Sequence, residues 1–216
     1  VEMVEKGPEL NIYHAPTDND VPWMQKLYDA GYDKMRHYVR DTEICECGEN
    51  EVKVKINAVL AKPSLMPAFR IGYTYTVFAD GRISLKTDAK LGASKLDTEM
   101  PQLFKVGLQM ILKPGFERAV WYGKGPHDNY PDKGESAMVG LYDKTVDELW
   151  ENHIRPQENG NRGGIRWVSL SDKGGRGLFV KSSGEFNFSA RHYTDENMIA
   201  AEHTNELEKI DETVLN

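Results

Sequence analysis

The chain has 216 residues, with 27 Lys and Arg against 34 Asp and Glu and a formal net charge of −7. That balance argues against a nucleic-acid partner, which would require a basic face, and gives no reason to expect a membrane surface as partner. No window approaches the roughly 18 consecutive apolar residues that a bilayer span needs, and the amino-terminal Val1-Glu-Met-Val-Glu-Lys-Gly-Pro8 has no apolar signal core.

One domain covering 1–216, with a substantial core, is the economical reading at this length. The chain starts at Val1 and ends in Thr213-Val-Leu-Asn216, which looks like an interrupted strand rather than a polar tail. It therefore reads as part of something larger, truncated at its C-terminal end.

In chain order, residues 1–20 read as extended and irregular, with turn formers crowded into Asn11–Asp20. Pro22 sits where a first helical turn tolerates it, with Asp20 as candidate N-cap. Trp23, Leu27 and Tyr28 share one face of a short helix that ends at Gly31. From there the period is two. Val52, Val54 and Ile56 alternate with Lys53, Lys55 and Asn57. Tyr73, Tyr75 and Val77 alternate with Thr74, Thr76 and Phe78, and Asp80-Gly81 makes a hairpin turn into Ile83 and Leu85. Each reads as a half-buried strand. Further strands are expected at 103–112, closed by Pro114-Gly115, and at 119–122, 137–142, 165–170, 177–181 and 186–190. Thr194 caps a second short helix running to Glu202. Roughly ten short strands separated by turn signals, without regular strand–helix alternation, predict an all-β antiparallel sandwich or barrel.

The two cysteines, Cys45 and Cys47, lie two apart in a strand, where their side chains share a face but sit too far apart for an easy disulfide. A lone C-x-C with no second Cys/His pair does not define a metal site. The six histidines show no metal-ligand spacing, and there is no P-loop, dinucleotide fingerprint, H-E-x-x-H or G-x-S-x-G motif. The 34 carboxylates read mostly as solvated strand faces, and sequence pairs no two of them for acid–base work.

Three polar clusters stand out. They are Thr17-Asp18-Asn19-Asp20, then His127-Asp-Asn129-Tyr130 with Asp132, and then Pro156-Gln-Glu158-Asn159-Gly-Asn-Arg162. The second follows Ala119-Val-Trp-Tyr122, read as a strand end, with Gly123 and Gly125-Pro126 forcing a turn. Aromatic faces beside planar amides and carboxylates suit a sugar, the rings for its C–H faces and the polar groups for its hydroxyls. The same residues equally suit loops whose Asp and Asn side chains bond their own backbone. Both readings stay open at this level.

Taken together, Ala15-Pro-Thr-Asp-Asn-Asp20, Gly123-Lys-Gly-Pro-His-Asp-Asn-Tyr-Pro-Asp132, Arg155-Pro-Gln-Glu-Asn-Gly-Asn-Arg162 and Phe186-Asn-Phe-Ser-Ala-Arg191 resemble, in order and spacing, the C-terminal domain of large bacterial β-galactosidases of glycoside hydrolase family 2. In some relatives this domain is a separate small chain. The resemblance runs from about Asn11 to Asn216.

It implies a large antiparallel sandwich of the galactose mutarotase type with short helices. It also implies a parent enzyme that hydrolyses terminal β-D-galactosides with two glutamates on a (β/α)₈ barrel. The barrel is not in this sequence, so no catalytic residue is assigned and the 216 residues alone are expected to be inactive. Mg²⁺ and Na⁺ are implied for the parent and no cofactor for this stretch. The expected partners are the catalytic and other domains of the same parent chain, and galactosides, with a homo-oligomeric parent left open. Its compartment is open between bacterial cytoplasm and periplasm.

The expected role is structural, packing on the barrel and shaping its cleft. Asp18, Asn19, Asp20, His127, Asn129, Tyr130, Asp132, Glu158, Asn159 and Arg162 are the candidate substrate-binding residues. The rival is a stand-alone carbohydrate-binding or aldose-epimerase-like domain, with His127, His192 and Glu158 cast as acid and base. A pure interaction module is a third reading.

Overall fold

The computed structural model describes residues 2–63, 67–92 and 103–216. The chain divides into two compact units, Val1–Val21 with Gly107–Asn216 as unit 1 and Pro22–Val106 as unit 2. Both are built on antiparallel sheet, as the period-two patterning predicts, and twelve strands run through the described residues.

Unit 2 opens with helix α1, Met24–Ala30. It stops where sequence placed its end, at Gly31, whose φ of 69° lets its N–H turn back onto the Leu27 and Tyr28 carbonyls. The expected N-cap is different: Trp23 holds that position without a side-chain bond, and Asp20 caps a turn of its own described below.

The sheet follows as β2 (Arg36–Cys47), β3 (Glu51–Ala61), β4 (Phe69–Phe78) and β5 (Ile83–Leu91), paired in that order. Between β3 and β4, and again between β4 and β5, the register is unbroken, so Val54, Tyr75 and Leu85 form one cross-strand row and Val52, Val77 and Ile83 the next. Gly81, at φ 88°, closes the expected Asp80-Gly81 hairpin. Both cysteines are free, at the far end of β2.

Unit 1 holds two four-stranded sheets. One has the order β1-β6-β12-β11, from Val4–Asn11, Gly107–Leu112, Thr213–Leu215 and Ala190–Arg191. The other has the order β10-β9-β7-β8, from Gly177–Phe188, Arg162–Ser171, Arg118–Gly125 and Met138–Thr145. Their inner faces share one core. Leu112 and Leu215 come from the first sheet, and Trp121, Ile165, Val168, Leu170 and Phe188 from the second. Trp121 is fully buried with its ring centroid 5.2 Å from Tyr142 and 5.7 Å from Phe188, while its indole N–H donates to the Lys124 carbonyl at 3.0 Å. Burying one such side chain contributes roughly 2–3 kcal/mol.

Several boundaries differ from the sequence reading. The strand expected at 103–112 begins only at Gly107. Strand β1 falls in the stretch read as irregular. Its sequence carries Gly7-Pro8 and its pairing with β6 shifts register twice, so it shows no alternation. The strands expected at 177–181 and 186–190 are one strand, β10, with an irregularity between Lys181 and Phe186. The chain then crosses at Ser189 into β11 of the other sheet.

Gly123 and Gly125 do not turn the chain; they belong to β7, which runs three residues past the expected end. Glycine is required there for close approach. A Cβ on Gly123 would lie 2.7 Å from the Ile165 backbone, and one on Gly125 would lie 2.9 Å from the Tyr142 ring. The Gly125–Pro126 peptide is cis. The second helix, α2, spans Asp195–Ala200 with Thr194 accepting from the Asn197 N–H at 3.2 Å, the cap read from sequence.

Candidate functional site

The three polar loops all belong to unit 1, and the structure brings them together. In the first, Asp20 accepts from both the N–H and the hydroxyl of Thr17 at 2.7 and 2.8 Å, closing the 3₁₀ turn Asp18–Asp20. Asp18 is tied to the third loop twice: its N–H donates to Gln157 Oε1 and its carboxylate accepts from Gln157 Nε2, each at 3.1 Å. A backbone bond from Glu158 N–H to the Ala15 carbonyl, 3.1 Å, runs alongside. Asn19 stays exposed.

The second loop follows β7. Asn129 is buried and acts as a splice: its Oδ1 accepts from the Gly163 N–H at 2.9 Å, and its own N–H donates to the Asn161 carbonyl at 2.8 Å. Asn161 Nδ2 returns a bond to the Asn129 carbonyl at 2.6 Å. The hydroxyl of Tyr130 is buried without a hydrogen bond of good geometry. Burial, and then the charge of Glu158, push its pKa well above the ordinary tyrosine value, against a smaller opposite pull from the Asn161 N–H. Lys133 sits 3.2 Å from Asp128 and 5.0 Å over the Tyr130 ring. His127, 3.0 Å from the Ser136 hydroxyl, and Asp132 are exposed at the tip.

In the third loop Asn159 is buried, accepting from the Glu151 N–H at 3.1 Å and donating to the Gln157 carbonyl at 2.9 Å. Arg162 has no exposed surface. It donates to the carbonyls of Leu149, Gly160 and Pro126 at 2.8, 2.7 and 3.3 Å, fastening the second loop to the third. Burial lowers its pKa, and Glu151 and Asp128 offset that only in part.

Beneath these loops lies a buried ion-pair cluster absent from the sequence-based candidates except for Glu158. Arg191 donates to Glu158 at 2.7 Å, to Asp195 at 2.6 Å and to the Tyr193 carbonyl at 3.0 Å. The three side chains retain only 2%, 9% and 7% of their surface respectively. Burial alone would lower the Arg191 pKa; the two carboxylates outweigh it and hold it above the usual arginine value. Asp195 also accepts from the Ala15 N–H at 3.2 Å, which draws the first loop onto the same cluster. Such a pair is costly to bury and costlier to break, since removing one partner strands an uncompensated charge.

Of the ten candidate residues, Asp18, Asp20, Asn129, Glu158, Asn159 and Arg162 are bonded into this network. Tyr130 is packed beside it, and Asn19, His127 and Asp132 remain as outward tips. The epimerase trio is not assembled as a unit: Glu158 bonds Arg191, His192 is buried with Nδ1 2.8 Å from the Glu212 carbonyl, and His127 faces Ser136. The Arg191–Asp195 pair had no helical i,i+4 signal, because Arg191 lies in β11 and only Asp195 is in α2. The Glu158–Arg191 pair, 33 residues apart, had none.

Among the described residues no group of three or more His, Cys, Asp or Glu is arranged to hold a metal ion. Glu158 and Asp195 are both engaged by the Arg191 guanidinium, which occupies the space between them. Unit 2 carries an open groove of about 560 Å³ on the polar face of its sheet, lined by solvated strand side chains such as Arg40, Asp41, Asn57, Arg70 and Lys90.

The family model for the beta galactosidase small chain matches residues 1–216. Among curated relatives, the beta-galactosidase of Vibrio cholerae serotype O1 is 33% identical over 217 residues, covering 95% of this chain and 20% of the relative. That of Staphylococcus xylosus is 32% identical over 213 residues, covering 99% and 21%. That of Streptococcus thermophilus is 32% identical over 218 residues, covering 99% and 20%. The chain thus spans about a fifth of the length of the curated relatives it matches. With the match running from end to end, the chain belongs to the beta-galactosidase small-chain family.

Proposed function

We propose that this chain is a structural portion of a β-galactosidase that hydrolyses terminal β-D-galactosides. It supplies no catalytic group; it packs on the catalytic barrel of the same parent and shapes one wall of the active-site cleft. The observation that carries this reading is the commitment of the polar loops. Six of the ten residues that resemble a sugar site already bond one another or the backbone, and the buried carboxylates are paired with Arg191. A galactoside in the cleft would meet at most the exposed Asp18, Asn19, His127 and Asp132. Mg²⁺ and Na⁺, if the parent uses them, belong to its other domains.

A chromogenic β-galactoside tests the assignment. The longer polypeptide should hydrolyse it, and the 216-residue chain alone should not exceed a buffer blank. Turnover by the chain alone, abolished by replacing a single one of its carboxylates, would overturn the reading.

A further inference from the structure

The alternation in β3, β4 and β5 calls for one buried face, and only half of that face is buried. At one end Ala58, Leu60, Phe69, Ile71 and Tyr73 are covered. Along the same face run two further cross-strand rows, Ile44–Val54–Tyr75–Leu85 and Cys47–Val52–Val77–Ile83, in which Val52, Val54, Tyr75 and Leu85 are half-buried and Ile44, Cys47, Val77 and Ile83 are exposed. Ile44 is 67% exposed, Ile83 63% and Val77 42%. The opposite face of the same strands carries the polar Lys53, Lys55, Thr74, Thr76, Ser84 and Lys86, of which Lys55, Ser84 and Lys86 are exposed. An antiparallel sheet that alternates this cleanly is built to cover one side.

Resting on the reading that the chain is a fifth of a longer polypeptide, we propose that this open end of the unit 2 sheet is a docking face for an apolar surface elsewhere in that same polypeptide. Size argues for a tethered occupant over a second copy. Two rows across four strands, at about 4.8 Å between strands and about 3.4 Å per residue, make a footprint on the order of 300 Å². That is no larger than the apolar patches an ordinary monomer exposes, and well short of the roughly 800 Å² per partner that a stable interface between free chains buries. A covalently linked neighbour needs no such area, because tethering supplies an effective concentration of about millimolar. Relatives that match 95% and 99% of the chain carry it as about 20% of their length, which leaves ample linked chain in them to provide such a neighbour.

Cys47 reports on the face directly, since it is a free, exposed thiol at the end of the second row. Alkylation by iodoacetamide, mapped by peptide mass, should be at least tenfold slower at Cys47 in the full-length polypeptide than in the 216-residue chain. Ile83→Lys in the full-length polypeptide should restore fast alkylation and lower its melting temperature by several degrees, with Ile83→Leu behaving as the parent. Equal alkylation rates in the two forms would overturn the proposal. So would a 216-residue chain that forms a dimer in which Cys47 is protected and Ile83→Lys exposes it, since the occupant would then be a second copy. None of these readouts uses galactoside hydrolysis, so failure of the functional assignment would be seen separately.

Discussion

The polar loops of unit 1 and the open sheet face of unit 2 handle their needs in opposite ways. In unit 1, residues that resemble a ligand site find their partners inside the chain. Asn129 splices two loops, Arg162 fastens three carbonyls, and Arg191 pairs with both Glu158 and Asp195. In unit 2, ordinary strand residues that resemble plain core are left facing outward. Buried polar groups must be satisfied wherever they lie, and a chain with enough Asn, Asp and Arg does this itself. Apolar strands have no such internal remedy.

The sharpest way to break this contrast is at Arg191. Arg191→Met leaves two carboxylates buried without their partner, and should cost about 3–5 kcal/mol in urea unfolding. Adding Glu158→Gln and Asp195→Asn should recover part of the loss, because no charge is then stranded. If Arg191→Met proves neutral, the cluster is wetter than its burial indicates and the loops are not self-sufficient.

A smaller effect separates Tyr130 from its surroundings. Its folded pKa is raised above the unfolded value of 10.0, because burial and Glu158 favour the neutral phenol. The unfolded chain therefore loses its proton first as pH rises. The stabilisation is complete below that unfolded value and is lost through the window above it, at up to about 1.4 kcal/mol per pH unit. Tyr130→Phe should flatten this alkaline slope in unfolding measured across pH 9–11; an unchanged slope would show that the hydroxyl is solvated.

The smallest effect belongs to unit 2. In the 216-residue chain alone, Ile83→Lys should change stability by no more than about 0.5 kcal/mol, as for an exposed position. A loss several times larger would mean that the face is already covered and the comparison fails.

What the sequence made legible follows the range of the forces involved. The β3–β5 meander was readable because neighbouring strands pair through a tight turn, with Asp80-Gly81 fixing one hairpin and the alternation its faces. The stop of α1 at Gly31 and the Thr194 cap of α2 were readable because both are local bonds. Strand β1 was not, because it is made by pairing with β6 a hundred residues away, through an irregular register around Gly7-Pro8. Asp20 was misread as capping forward when its carboxylate turns back to Thr17, since either direction satisfies a backbone N–H. The polar loops were found, but whether they bonded outward or inward depended on Glu158 meeting Arg191 and Asp18 meeting Gln157, pairings of 33 and 139 residues that no local pattern encodes.

Asn129 tests most directly the central claim, that the polar loops serve the fold. Its side-chain oxygen is the acceptor for the buried Gly163 N–H at 2.9 Å. Asn129→Ala should therefore lower the unfolding free energy of the 216-residue chain by about 1–3 kcal/mol. Unchanged stability, together with a galactose affinity that calorimetry detects in the parent chain and loses in the variant, would contradict the account and assign the loop to the sugar.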